Sequence, residues 1–184
     1  MSMNLISTTA MPTGASTLTI TDVFTSDYLA YRLVFGNIGI ATDANNNLYM
    51  TLTVSGTADS DGADYSSMWI RGTQGFDESD FHDDDGSDGV GIKLNQESLG
   101  GTSGAQYNRW AGIVDIFGSQ EARYTQTLIR STMGSGTDSG DSNSGHNTFG
   151  AGSYKQTAVV DGFKLTATNG ENFAQGKVSI YGIT

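Results

Sequence analysis

Between Gly72 and Gly91 the chain places seven carboxylates, Asp77, Glu78, Asp80, Asp83, Asp84, Asp85 and Asp88, in a window without lysine or arginine. Hard cations take several carboxylate oxygens around a tight glycine turn, so Asp83, Asp85 and Asp88 in Asp83-Asp84-Asp85-Gly86-Ser87-Asp88-Gly89 are candidate calcium ligands. The spacing is not that of an EF-hand. Counted from Asp83, the sixth position is Asp88 where glycine is required, and the twelfth is Leu94 where a bidentate glutamate belongs. The competing reading is a solvated acidic loop, with Asp77, Glu78, Asp80 and Asp84 facing water or a basic partner surface. Apart from calcium, no cofactor is expected.

Nucleophilic and phosphate chemistry find little support. Both histidines, His82 and His146, fall in predicted loops, and a Ser-His-Asp site needs one of them held by a carboxylate opposite a serine on a sharp turn. Gly140-Asp141-Ser142-Asn143-Ser144-Gly145 lacks glycines directly after the serine and lies in low-complexity sequence. Gly176-Lys177 is followed by Val178, and Glu171 stands where the leading glycine of a phosphate loop belongs, so Lys177 is read as a strand charge. The expectation is a protein that is not an enzyme. Trp69 and Trp110 lie inside alternating strands and are assigned to packing, whereas Tyr49 and Tyr107 are the candidates for exposure and for contact with a glycan.

The elements that must position these residues are strands. Twenty-five glycines, one proline and few Lys or Arg describe short strands joined by turns, and the Ala, Leu, Glu and Lys runs of long helices are missing. Leu48, Met50, Leu52 and Val54 alternate with Tyr49, Thr51 and Thr53, the cleanest period of two in the chain. Further strands are predicted at Thr17–Thr21, Leu29–Phe35, Tyr65–Arg71, Ile92–Leu94, Trp110–Phe117, where Asp115 interrupts an apolar run, and Arg123–Met133, where Tyr124 and Leu128 share a face. Residues 5–14 read as a short lead-in. Phe163, Leu165 and Ala167 alternate with polar residues, Asn169-Gly170 tolerates positive φ, and Val178 to Ile183 is apolar on both parities. That end reads as a closing hairpin whose second strand lies deep in a sheet, covered on both faces. The whole, residues 1–184, is expected to be one all-β domain, an antiparallel, jelly-roll-like sandwich of about 8–10 strands with exposed loops near 55–64, 72–91 and 134–145.

The formal charge of −11 argues against nucleic acid and against anionic membranes, both of which call for clustered Lys or Arg. Without cysteine there is no disulfide framework and no thiolate metal site. Met1-Ser2-Met3-Asn4 has no basic n-region and no apolar h-region follows, so synthesis in the cytoplasm of the producing cell is expected.

Several segments, taken in order, carry a resemblance: Ser16 to Phe24, Tyr28 to Val34, Tyr65 to Gly72, Gly112 to Phe117, and above all Asn172-Phe173-Ala174-Gln175-Gly176 with Ser179-Ile180-Tyr181-Gly182-Ile183. Together they resemble a loose group of tailed-bacteriophage virion proteins, whose members often end in this Asn-Phe, glycine, Tyr-Gly-Ile manner. The resemblance covers most of the chain in strand order through short apolar words. The acidic segment 77–88 and the Gly/Ser segment 134–145 depart from it. It implies a β-sandwich structural protein of the virion, exposed on the particle, made in the bacterial cytoplasm and assembled as a homo-oligomer, most plausibly a trimer. It implies no catalytic residue. Within that class, the absence of a heptad stalk suits a head decoration or cement protein seated on the major capsid protein; a short tail or baseplate appendage is the alternative. From another class, a receptor-recognition module would bind a host-surface glycan through loops at one end of the sandwich.

Overall fold

The computed structural model describes residues 2–41, 47–73, 80–84, 91–95, 109–135 and 144–184, with the backbone alone at 71–73, 80–84, 134–135 and 144–146. Thirteen strands are found among the described residues: β1 (Met3–Ala10), β2 (Thr17–Ile20), β3 (Ala30–Ile40), β4 (Leu48–Val54), β5 (Thr57–Ala58), β6 (Tyr65–Thr73), β7 (Asp80–Asp84), β8 (Ile92–Lys93), β9 (Arg109–Phe117), β10 (Thr125–Ser135), β11 (Ser144–Tyr154), β12 (Gly162–Ala167) and β13 (Phe173–Ile183). They form an eight-stranded sheet in the order β1-β13-β3-β9-β10-β11-β6-β7, and a smaller sheet β2-β12-β4-β5 in which β8 also pairs with β4. Every pairing is antiparallel. The two sheets pack face to face, so the expected all-β sandwich is what the chain forms.

The core lies between the sheets. Leu33, Phe35, Trp69, Trp110, Val114, Ile129, Val178 and Ile180 point inward from the large sheet and meet Leu48, Met50, Leu52, Phe163 and Leu165 from the small one, all essentially inaccessible to water. The alternation of β4 puts Leu48, Met50 and Leu52 opposite Ala167, Leu165 and Phe163 of β12. Both tryptophans are accommodated by glycines on neighbouring inward positions. A Cβ at Gly150 would stand 2.5 Å from the Trp69 ring, and one at Gly112 would stand 2.7 Å from the Trp110 ring.

The strands expected to close a hairpin belong to different sheets. The strand β12 pairs with β2 and β4, whereas β13 pairs with β1 and β3. Asn169 and Gly170 do adopt positive φ, 61° and 71°, but within a 3-10 turn that sends the chain across the sandwich. The reason lies at the other end of the chain. Between β1 and β2 the backbone makes the same crossing, and the two run side by side: Gly14 N–H donates to the Phe173 carbonyl, Phe173 N–H to Ala15, and Ala167 N–H to Ser16. Along β13, Val178 and Ile180 are buried while Ser179, Tyr181 and Ile183 are only half-buried, so one of its two faces is covered less fully than expected.

Two further expectations are corrected, and that of an exposed segment at 55–64 is refined. Residues 3–10 are not a lead-in but the edge strand β1, whose register shifts between Leu5 and Ser7 and so hides a period of two. Within 55–64, Ser55 and Gly56 take positive φ in the tight turn between β4 and β5, and Asp59 is pinned by the Tyr154 hydroxyl, which donates to Oδ2 at 2.7 Å. Around the third loop, β10 runs on through Ser135 and β11 starts at Ser144; residues 136–143 lie outside the described residues.

Candidate interaction face

The large sheet turns its second face to solvent, and there the chain keeps apolar side chains that the core does not use. Trp69 is 1% exposed, while Met68 and Ile70 on either side of it are 54% and 43% exposed. Phe117, Leu128 and Phe149 are likewise open, at 40–59%. Register puts them together: Leu128 stands opposite Ala151, which stands opposite Met68, and in the adjoining row Arg130 stands opposite Phe149, which stands opposite Ile70. On the other side of β10 these rows continue through Asp115 and Arg32, and through Ile113 and Val34.

The small residues between these side chains leave two shallow grooves. One, of about 520 Å³, has Val34, Ala111, Ile113, Arg130 and Phe149 in its lining; the other, of about 410 Å³, has Met68, Phe117, Leu128 and Ala151. Exposed apolar side chains grouped in this way make the face a candidate for contact with another molecule.

Asp115 lies at the centre of the face and is buried at 5% exposure. Arg32 clamps it with both prongs, Nε to Oδ1 at 2.6 Å and Nη2 to Oδ2 at 2.9 Å, and Arg130 Nη2 adds a third bond to Oδ2 at 3.0 Å. The hydrogen bond that Arg32 donates to Asp115, assisted by the carboxylate's charge and opposed by partial burial, raises the Arg32 guanidinium above its ordinary pKa. One carboxylate shared by two guanidiniums leaves a local excess of positive charge, and Arg130 is half exposed. The sequence hinted at this cluster through Asp115, a charge interrupting an apolar strand, which calls for a partner. Its partners, 83 and 15 residues away, could not be named without the register.

The residues singled out from sequence are distributed otherwise. Tyr49 is not exposed: it lies on β4 between Thr166 and Lys93 at 3% exposure, with no ring face to offer a glycan. Tyr107 lies outside the described residues, as do Asp77, Glu78, Asp85 and Asp88. Asp80, Asp83 and Asp84 belong to β7 and not to a loop; they stand opposite Arg71, Met68 and Ser67 of β6. Pairing with β6 imposes the extended backbone that acidic composition does not favour. His82 and His146 are likewise in strands, opposite Trp69 and Met133. Among the described residues, no three His, Asp or Glu side chains are grouped to hold a metal. Trp69 and Trp110 are core residues, as expected, and neither indole N–H has a hydrogen-bond partner.

A second polar cluster serves the fold. The Tyr65 hydroxyl donates to the Asp59 carbonyl and accepts from Leu52 N–H, both at 3.0 Å, and the Tyr65 and Tyr154 rings lie 5.1 Å apart. Burial pushes both phenols well above their ordinary pKa; the Leu52 bond opposes this at Tyr65, while at Tyr154 the bond to Asp59 adds to it.

Neither protein-family models nor curated protein sequences give a match to the chain.

Proposed function

We propose that the protein is a non-enzymatic structural component of a tailed-bacteriophage particle, a head decoration or cement protein that stabilises the capsid shell. The observation that carries this reading is the open apolar face of the eight-stranded sheet, a broad surface on a rigid support that suits packing against protein. The resemblance of the terminal strand and its companions to virion proteins supplies the biological setting. Copies made in the bacterial cytoplasm assemble as homotrimers and seat on the major capsid protein at the exterior of the virion. Each contact is small, and repetition over the lattice makes it hold.

Quantitative mass spectrometry of purified particles tests the reading. Hundreds of copies per particle are expected. A dozen or so would transfer the protein to a tail or baseplate appendage, and absence from particles would overturn the proposal. The alternative of a glycan-recognising module has lost Tyr49 as a contact, since that ring is buried.

A further inference from the structure

The outward face differs from the rest of the chain in charge. Its described positions from β1 to β6 carry Arg32, Arg109, Arg130 and Lys177 against a single carboxylate, Asp115, in a chain of net charge −11. The remainder is therefore more acidic than the total. Lys177 belongs to this face because its side chain lies over Gly36 of β3. At the same sheet's edge stands β7, Asp80-Phe81-His82-Asp83-Asp84, paired among the described residues with β6 alone.

We infer that the face centred on Arg130, Phe149 and Leu128 receives the acidic edge strand β7 of a second copy in a head-to-tail contact. The inference rests on the assembly reading above and deepens it by naming the surfaces. Charge decides against the two-fold alternatives. Face against face would oppose the Arg32 and Arg130 clusters to themselves, and edge against edge would oppose Asp80, Asp83 and Asp84 to themselves. A heterologous contact avoids both and closes into a ring when its rotation permits, which suits three copies.

The test is sedimentation equilibrium with the full chain, at about 50 mM and about 500 mM salt, where screening lengths differ roughly threefold. A closed oligomer of three or more copies is expected at low salt, dissociating more readily at high salt. Arg130→Glu weakens association at least about tenfold, and Asp83→Lys with Asp84→Lys restores it in that background, because the pair of charges is exchanged. Phe149→Ser weakens it without altering the salt dependence. Far-UV circular dichroism and the melting temperature check that each variant folds. A wild-type chain that stays monomeric at about 100 μM, a two-fold dimer, or a failure of the charge exchange to restore association overturns the inference. A monomer present at hundreds of copies per particle overturns this contact and the homotrimer with it, and leaves the reading as a structural protein of the particle standing.

Discussion

Replacing Gly150 by alanine tests how the sandwich accommodates Trp69. Gly150 stands opposite Trp69 across the β11–β6 ladder, and its φ is outside the positive range that would make any side chain strained. A Cβ there would lie 2.5 Å and 2.7 Å from two carbons of the indole benzo ring and 3.0 Å from the Met68 carbonyl. The ring would have to retreat by about 0.9 Å to regain ordinary contact, and at 1% exposure it has no solvent-side room. Overpacking of this kind costs about 1–3 kcal/mol. Against it, losing a glycine from the unfolded chain contributes about 0.4–1 kcal/mol. The net is a destabilisation of about 1–2 kcal/mol, and for a chain of 184 residues a fall in Tm of about 2–8 °C. Scanning calorimetry reads the shift. Trp69→Phe removes the outer ring that the new methyl meets, so Gly150→Ala in that background costs about 1 kcal/mol less than alone. An unchanged or raised Tm for Gly150→Ala in the wild-type background would refute the close packing of these two strands.

Three further outcomes are expected. Asp115→Ala strands two guanidiniums on the open face and costs about 1–3 kcal/mol, less at high salt, while Arg130→Ala, which leaves the bidentate Arg32 clamp in place, costs about 0.5 kcal/mol; denaturant unfolding of the pair checks the order. For Tyr65 and Tyr154 the folded state holds the neutral phenol beyond the ordinary pKa near 10, so their contribution to stability is complete below pH 10 and falls as pH rises above it. Absorbance near 295 nm should show Tyr65 and Tyr154 ionising only as the chain unfolds, and Tyr65→Phe should flatten the alkaline loss. EDTA should leave Tm unmoved; a fall would restore the calcium reading of the acidic segment.

How far the sequence revealed this fold depended on whether local pattern or distant pairing set each element. The β4 strand was legible to the residue because its inward leucines and methionine alternate without interruption. The β3 strand was legible only to Phe35, since the register shift between Phe35 and Ile38, with Asn37 at φ 57°, moves Ile38 and Ile40 out of phase. The β7 strand carried no local signal: aspartates and a histidine have weak strand preference, and pairing with β6 makes the strand. At Asn169-Gly170 the turn chemistry was right and the topology wrong, because a turn that reverses within a sheet and one that crosses to the other sheet use the same left-handed residues. The choice was made by residues 14–16, more than 150 positions earlier. Tyr124 precedes β10, and both it and Leu128 are exposed; period alone does not say which side of a strand meets the core.

That last ambiguity bears on function. Inward positions of the large sheet are dictated by packing, where Trp69 needs Gly150 and Trp110 needs Gly112. Outward positions carry no such requirement, and this chain fills others with threonine, serine and glutamine, as at Gln126, Thr132 and Ser153. Methionine, isoleucine, leucine and phenylalanine at 68, 70, 128 and 149 are therefore not explained by folding, and each exposes apolar area to water at a cost the fold does not recover. A polar residue would serve the strand equally well. What these four residues have in common is their place in adjacent rows around Arg130, the surface proposed above to meet a second copy.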